Sequence, residues 1–119
     1  MPLNYKHSYR NPLWISGNYS DYTFEAKVYD EGSEYGIYGG RVSKLAIWED
    51  GDMIINYDRG WDFGKYTTSV YDPLVEQLEN LPPIPDGLWD YAQQINDEEN
   101  RSIHYERSYS ERIRKFLGW

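Results

Sequence analysis

Arg41-Val42-Ser43-Lys44-Leu45-Ala46-Ile47-Trp48, Glu49-Asp50-Gly51-Asp52 and Met53-Ile54-Ile55-Asn56-Tyr57 follow one another without a break. In the first block Ser43, Leu45 and Ile47 fall on one face, the period-2 pattern of a half-buried strand. Asp-Gly tolerates the positive φ that a two-residue hairpin turn requires, so the second block reads as the turn and the third as the returning strand. Upstream, Tyr22-Thr23-Phe24-Glu25-Ala26-Lys27-Val28-Tyr29 alternates as well. Phe24, Ala26 and Val28 face one way; Thr23, Glu25 and Lys27 face the other. Leu13-Trp14-Ile15 supplies a further short strand, ended by Gly17-Asn18. Residues 1–12 form a loose arm or an edge strand. The prediction is an antiparallel sheet of three to five strands within about residues 13–66.

Asp58-Arg59-Gly60-Trp61-Asp62-Phe63-Gly64 then leaves the sheet. Asp72 is a good N-cap and Pro73 suits the first helical position, with Leu74, Leu78 and Leu81 at helical spacing. A helix is expected over about 72–81. Pro82-Pro83-Ile84-Pro85 stops it and makes a stiff connector. A second helical region runs over about 86–117, capped by Asp86, with Leu88, Ala92 and Ile95 on one stripe. Asn96-Asp97-Glu98-Glu99-Asn100 is either a solvated turn of that helix or a break. Ser108-x-x-Glu111 resembles a capping box and opens a third helix if the break is real. The fold class is therefore α+β in a single domain of 119 residues, an N-terminal antiparallel β-sheet followed by C-terminal helices.

The net charge of −8 argues against duplex nucleic acid as a partner. The charge is uneven: residues 101–119 carry Arg101, Arg107, Arg112, Arg114 and Lys115 against Glu106 and Glu111, a basic island on an acidic body. There is no cysteine, hence no disulfide framework and no thiolate chemistry. No apolar run approaches a membrane span, and the first residues lack the apolar core of a signal peptide. We expect a soluble cytoplasmic protein.

No catalytic residues are assigned. Ser33 and Ser43 have no histidine near them in sequence, and pairs such as Asp58 and Asp62 arise by chance in a chain with 20 acids. A hydrolase using Asp58, Asp62 or Glu31 is a third-rank alternative. His7 and His104 are the only histidines and lie far apart, so no metal and no cofactor is expected. Two stretches carry recognition chemistry. Between Tyr29 and Leu45 four glycines precede Arg41 and Lys44; Gly39-Gly40-Arg41 reads either as an anion site or as a tight turn. In the C-terminal half, Trp89, Tyr91, Asn96, Asn100, Arg112 and Arg114 interleave flat rings, amides and guanidiniums, the groups that stack on bases and grip phosphate. The chain has 13 Tyr and 5 Trp against 3 Phe, an excess that suits ligand pockets and interfaces.

Ala26-Lys27-Val28-Tyr29-Asp30-Glu31, Gly39-Gly40-Arg41-Val42-Ser43-Lys44-Leu45 and Asn56-Tyr57-Asp58-Arg59-Gly60-Trp61-Asp62 make residues 22–81 similar to a small phage and Firmicutes domain of unassigned function. In size and layout the whole chain resembles the type 1 Thoeris anti-defence proteins of phages. That resemblance implies a sponge acting in the bacterial host's cytoplasm. It would sequester cyclic ADP-ribose isomers, and in some members cyclic oligonucleotides at separate sites, without cleaving them. It also implies homo-oligomers, dimers or larger and hexamers included, assembled through the helices. An aromatic, an amide and an arginine in the C-terminal half would hold the ligand, with Trp89 or Tyr91, Asn96 or Asn100, and Arg112 or Arg114 as candidates. The apolar stripe Ile95, Ile103, Tyr109, Ile113, Phe116 and Leu117 is the expected subunit contact. The rival reading is a small acidic inhibitor, a DNA mimic that binds a bacterial defence nuclease.

Overall fold

The computed structural model describes residues 3–99. Its frame is a six-stranded sheet in which every strand pairs antiparallel with its neighbours in sequence. The strands are β1 (Asn4–His7), β2 (Trp14–Tyr19), β3 (Tyr22–Val28), β4 (Val42–Glu49), β5 (Asp52–Asp58) and β6 (Trp61–Phe63). One helix, α1 (Thr68–Glu79), follows, and residues 86–99 form a second, α2. The architecture is α+β, sheet first and helices last, as the hydrophobic patterning predicts.

Alternation decides which face is inside. Phe24, Ala26 and Val28 of β3, Leu45 and Ile47 of β4, and Ile55 and Tyr57 of β5 are buried. Tyr71, Leu74, Val75 and Leu78 of α1 join them in a single core with Ile15. Burying Leu74, Val75 and Leu78 contributes roughly 1.5–3 kcal/mol each, which is what docks a helix of only three turns. The Asp50-Gly51 turn takes φ of 49° and 86°, both left-handed, as a two-residue hairpin demands.

Four details depart from expectation. The sheet has six strands rather than three to five and starts at Asn4. Gly17 does not end β2 but lies within it, paired with Tyr5 and Phe24. The segment after Asp58 turns back into the sheet as β6, because the Trp61 ring packs against Tyr57 at 5.0 Å and Tyr71 at 4.7 Å. And α1 begins at Thr68, one turn before Asp72. The anchor there is Tyr71, 2% exposed, whose hydroxyl donates to the Lys65 carbonyl at 2.6 Å. Asp72 therefore caps nothing and accepts from the Tyr38 hydroxyl at 2.8 Å. Pro73 sits inside the helix without an amide hydrogen to donate. We expect Pro73→Ala to raise stability by about 1 kcal/mol in urea unfolding, since alanine restores that donor.

Pro82 to Pro85 form no helix or strand, as expected of the connector. α2 then runs through Asn96 to Glu99 without a break. It buries Ala92, half-buries Leu88 and Ile95, and lies against the loop between β1 and β2. Arg10 forms a salt bridge with Glu99, and its carbonyl accepts from Asn96 Nδ2 at 3.3 Å. Among the described residues no helix is long and apolar enough to cross a membrane.

Candidate functional site

The strand register sets four side chains in one row across the face of the sheet opposite the core. Trp14 pairs with Lys27, Lys27 with Lys44, and Lys44 with Asp58. Each sits beside an inward residue in its own strand, so all four point outward. The Lys44 ammonium lies 5.6 Å from the Trp14 ring centre and 3.5 Å from the Asp58 carboxylate. The Lys27 ammonium lies over Trp14 at 6.0 Å and over Tyr29 at 5.2 Å. Both distances suit cation–π attraction.

A bulge shapes one end of this row. Val28 pairs with Val42 and Lys27 with Lys44, which leaves Ser43 as the extra residue of β4. Its carbonyl accepts the Arg59 amide at 2.9 Å. Arg59 adopts a left-handed φ of 58°, and its guanidinium lies 5.5 Å from the Tyr35 ring centre. Tyr35 is held in turn by its carbonyl, which accepts from the Tyr57 hydroxyl at 2.7 Å. Burial raises the pKa of that hydroxyl above the ordinary phenol value, so it stays a donor.

Lys27, Lys44, Asp58, Ser43, Arg59 and Tyr35 line one cleft of about 860 Å³, together with Trp89 of α2 and the start of the connection between β3 and β4; Trp14 and Tyr57 stand outside its lining. The volume is that of a small-molecule site. Tyr29, Tyr35 and Trp89 give it three rings, and Lys27, Lys44 and Arg59 three cations. Asp30, Glu31 and Asp58 stand on the same rim. Such a lining can stack a flat ring, pair with an anion and accept hydrogen bonds from hydroxyls.

Among the described residues, Trp89 of the C-terminal candidates lines this cleft, as do Lys44 from the glycine stretch and Glu31 and Asp58 from the hydrolase alternative. Tyr91 is half-exposed and meets the edge of Tyr9 at 5.6 Å. Asn96 is engaged with the Arg10 carbonyl. Asn100, Arg112 and Arg114 lie outside the described residues, as do Ile103, Tyr109, Ile113, Phe116 and Leu117 of the apolar stripe.

The glycine segment does hold a carboxylate, and it is the protein's own. Glu79 at the end of α1 accepts from the Arg41 amide at 2.7 and 3.0 Å and from the Val42 amide at 3.3 Å. A Cβ on residue 40 would collide with that carboxylate, which is why glycine stands there. Gly39, at φ 72°, turns the chain into this approach. The Arg41 side chain faces inward, its Nε donating to the Tyr29 carbonyl at 2.7 Å and its Nη1 to the Glu79 and Leu81 carbonyls at 2.7 and 2.9 Å. These groups fasten β4 to the end of α1, and fill the place the segment offers an anion.

Of the three acids of the hydrolase reading, Glu31 lines the cleft and the other two are engaged. Asp58 pairs with Lys44, and Asp62 accepts from Asn56 Nδ2 at 2.6 Å. Among the described residues no group of three or more His, Cys, Asp or Glu side chains is arranged to hold a metal ion.

A family model described as a domain of unknown function (DUF7678) matches residues 13–80, more than half of the chain. The chain belongs to the DUF7678 family. The match agrees with the similarity of residues 22–81 to a domain of unassigned function. The DUF7678 range spans β2 to α1 and so carries every residue of the row, the bulge and Arg59. Trp89 comes from outside it. No curated protein and no solved structure matches the chain.

Proposed function

We propose that this DUF7678 protein binds a cyclic nucleotide immune signal and holds it intact, acting as an anti-defence sponge of the type 1 Thoeris kind. The first ligand to test is a cyclic ADP-ribose isomer, which joins a base, two riboses and a diphosphate in one ring. The observation that carries the reading is the meeting of Tyr29, Tyr35 and Trp89 with Lys27, Lys44 and Arg59 in a single cleft. Rings stack a base whatever its sequence context, and cations meet its phosphates. The rim carboxylates of Asp30 and Glu31 suit ribose hydroxyls. The proposed role is sequestration, with strength drawn from stacking and charge and no bond broken.

On this reading the protein works in the cytoplasm of the bacterial host as a homo-oligomer joined through its C-terminal segment. The apolar stripe in the sequence from Ile95 to Leu117 supports that, because a dimer interface needs an apolar patch. Asn100, Arg112 and Arg114 remain candidates for completing the ligand shell beside Trp89.

Calorimetry with purified protein and cyclic ADP-ribose isomers tests the reading. The expected result is saturable binding, followed by recovery of the unaltered ligand by mass spectrometry after heat denaturation. Recovery of a cleaved product would make the protein an enzyme. Absence of binding to cyclic ADP-ribose isomers and to cyclic oligonucleotides would end the sponge reading and favour the acidic inhibitor.

A further inference from the structure

Two residues of the cleft are poor choices for the positions they occupy. Lys27 and Lys44 stand directly opposite each other on β3 and β4, where like charges repel. Asp58 answers only Lys44, at 3.5 Å, and among the described residues Lys27 forms no salt bridge. Arg59 holds a left-handed φ of 58°, a conformation that asparagine or glycine adopts with less strain. Among the described residues its guanidinium forms no salt bridge and rests only on the Tyr35 ring. Ser20, Tyr38 and Asp50 share this left-handed φ, but Arg59 is the one of the four that lines the cleft.

Both irregularities open on the same cleft. What singles out this cleft is the combination: a left-handed arginine and a lysine that form no salt bridge among the described residues, set side by side in one lining, the kind of local inconsistency that clusters at ligand sites. A diphosphate offers more negative charge and more acceptor oxygens than a single phosphate, and so competes best for the lysine pair and the guanidinium against the carboxylates of Asp30, Glu31 and Asp58 in the same lining. We infer that Lys27, Lys44 and Arg59 form a diphosphate cradle, with Arg59 as its principal grip and Tyr35 as the plate that aims the guanidinium.

The inference rests on the nucleotide reading of this cleft, but it can fail separately. The test titrates inorganic pyrophosphate, and a cyclic ADP-ribose isomer in parallel, into the full-length parent, Arg59→Asn and Lys27→Thr. The parent should bind pyrophosphate more weakly as salt rises. Each substitution should weaken binding by about tenfold or more, the size of a lost charged hydrogen bond. Arg59→Asn should at the same time melt about 3 °C or more higher, because asparagine relieves the strained φ. Lys27→Thr should melt no lower than the parent.

Pyrophosphate binding equal in all three proteins, or absent from the parent, overturns the cradle. So does a lower melting temperature for Arg59→Asn, which would make Arg59 a structural residue. If the parent binds the cyclic isomer and both variants bind it equally, the cradle falls and the sponge reading stands. If pyrophosphate binds as described and no cyclic nucleotide does, the cradle stands and the sponge reading falls.

Discussion

Arg41→Ala should lower the unfolding free energy by about 3 kcal/mol, because three charge-assisted hydrogen bonds vanish and their acceptors lose a partner. The Arg41 side chain donates to the carbonyls of Tyr29, Glu79 and Leu81, and so ties the β3 end, the β4 start and the α1 end at one point. Arg41→Lys should recover little, since an ammonium on a flexible stem cannot reproduce the planar fork. Glu79→Gln should cost less, about 1 kcal/mol, because the amide oxygen still accepts from one backbone amide. Urea unfolding monitored by tryptophan fluorescence measures all three. If Arg41→Ala unfolds like the parent and loses affinity for anions, Arg41 faces a ligand after all, and the glycine segment is the anion site that the sequence suggests.

Removing two stacking rings should nearly abolish cyclic nucleotide binding. Each base–aromatic stack is worth about 1–3 kcal/mol, so Tyr35→Ala with Trp89→Ala should weaken affinity by about 10² to 10⁴-fold if the two act independently. The fold should survive, because Tyr35 and Trp89 are 49% and 39% exposed. The Tyr35 carbonyl still receives the Tyr57 hydroxyl after the ring is gone. Tyr91→Ala should bind as the parent does, since that ring meets Tyr9 and not the cleft. Calorimetric titration with a cyclic ADP-ribose isomer decides. An unchanged double variant would remove this cleft from consideration.

The sheet is readable in the sequence where local chemistry and tertiary packing agree. The alternation of Phe24, Ala26 and Val28 and the Asp50-Gly51 turn each announce what forms. The reading falters where packing overrides a local signal. Pro73 looks like a helix start, yet Tyr71 needs the preceding turn to be helical so that its ring reaches the core. Gly60 looks like an exit from the sheet, yet Trp61 finds Tyr57 and Tyr71 and brings the chain back.

The cleft is harder to see for a geometric reason. Its cations come from Lys27, Lys44 and Arg59, which only the register of three strands brings together. Alternation puts Lys27 on the outer face, a signal available in the sequence. Its partnership with Lys44 depends on the bulge at Ser43, which no pattern marks. Arg41 misleads in the opposite sense: glycines beside an arginine do denote a carboxylate site, but the carboxylate is Glu79, 38 residues downstream.

The order of the strands bears on how quickly this molecule assembles. In a strict meander each pairing joins neighbours in sequence, and short links close at small entropic cost. Four of the five links are brief; the fifth, residues 29–41, is the longest. Loop-closure entropy therefore falls most heavily on β3 meeting β4. That same link contributes to the lining of the cleft, so the costliest closure among the strand pairings is the one that builds it. A ligand that spans both strands would be felt chiefly as slower unfolding, a long residence of the native state rather than a faster arrival at it.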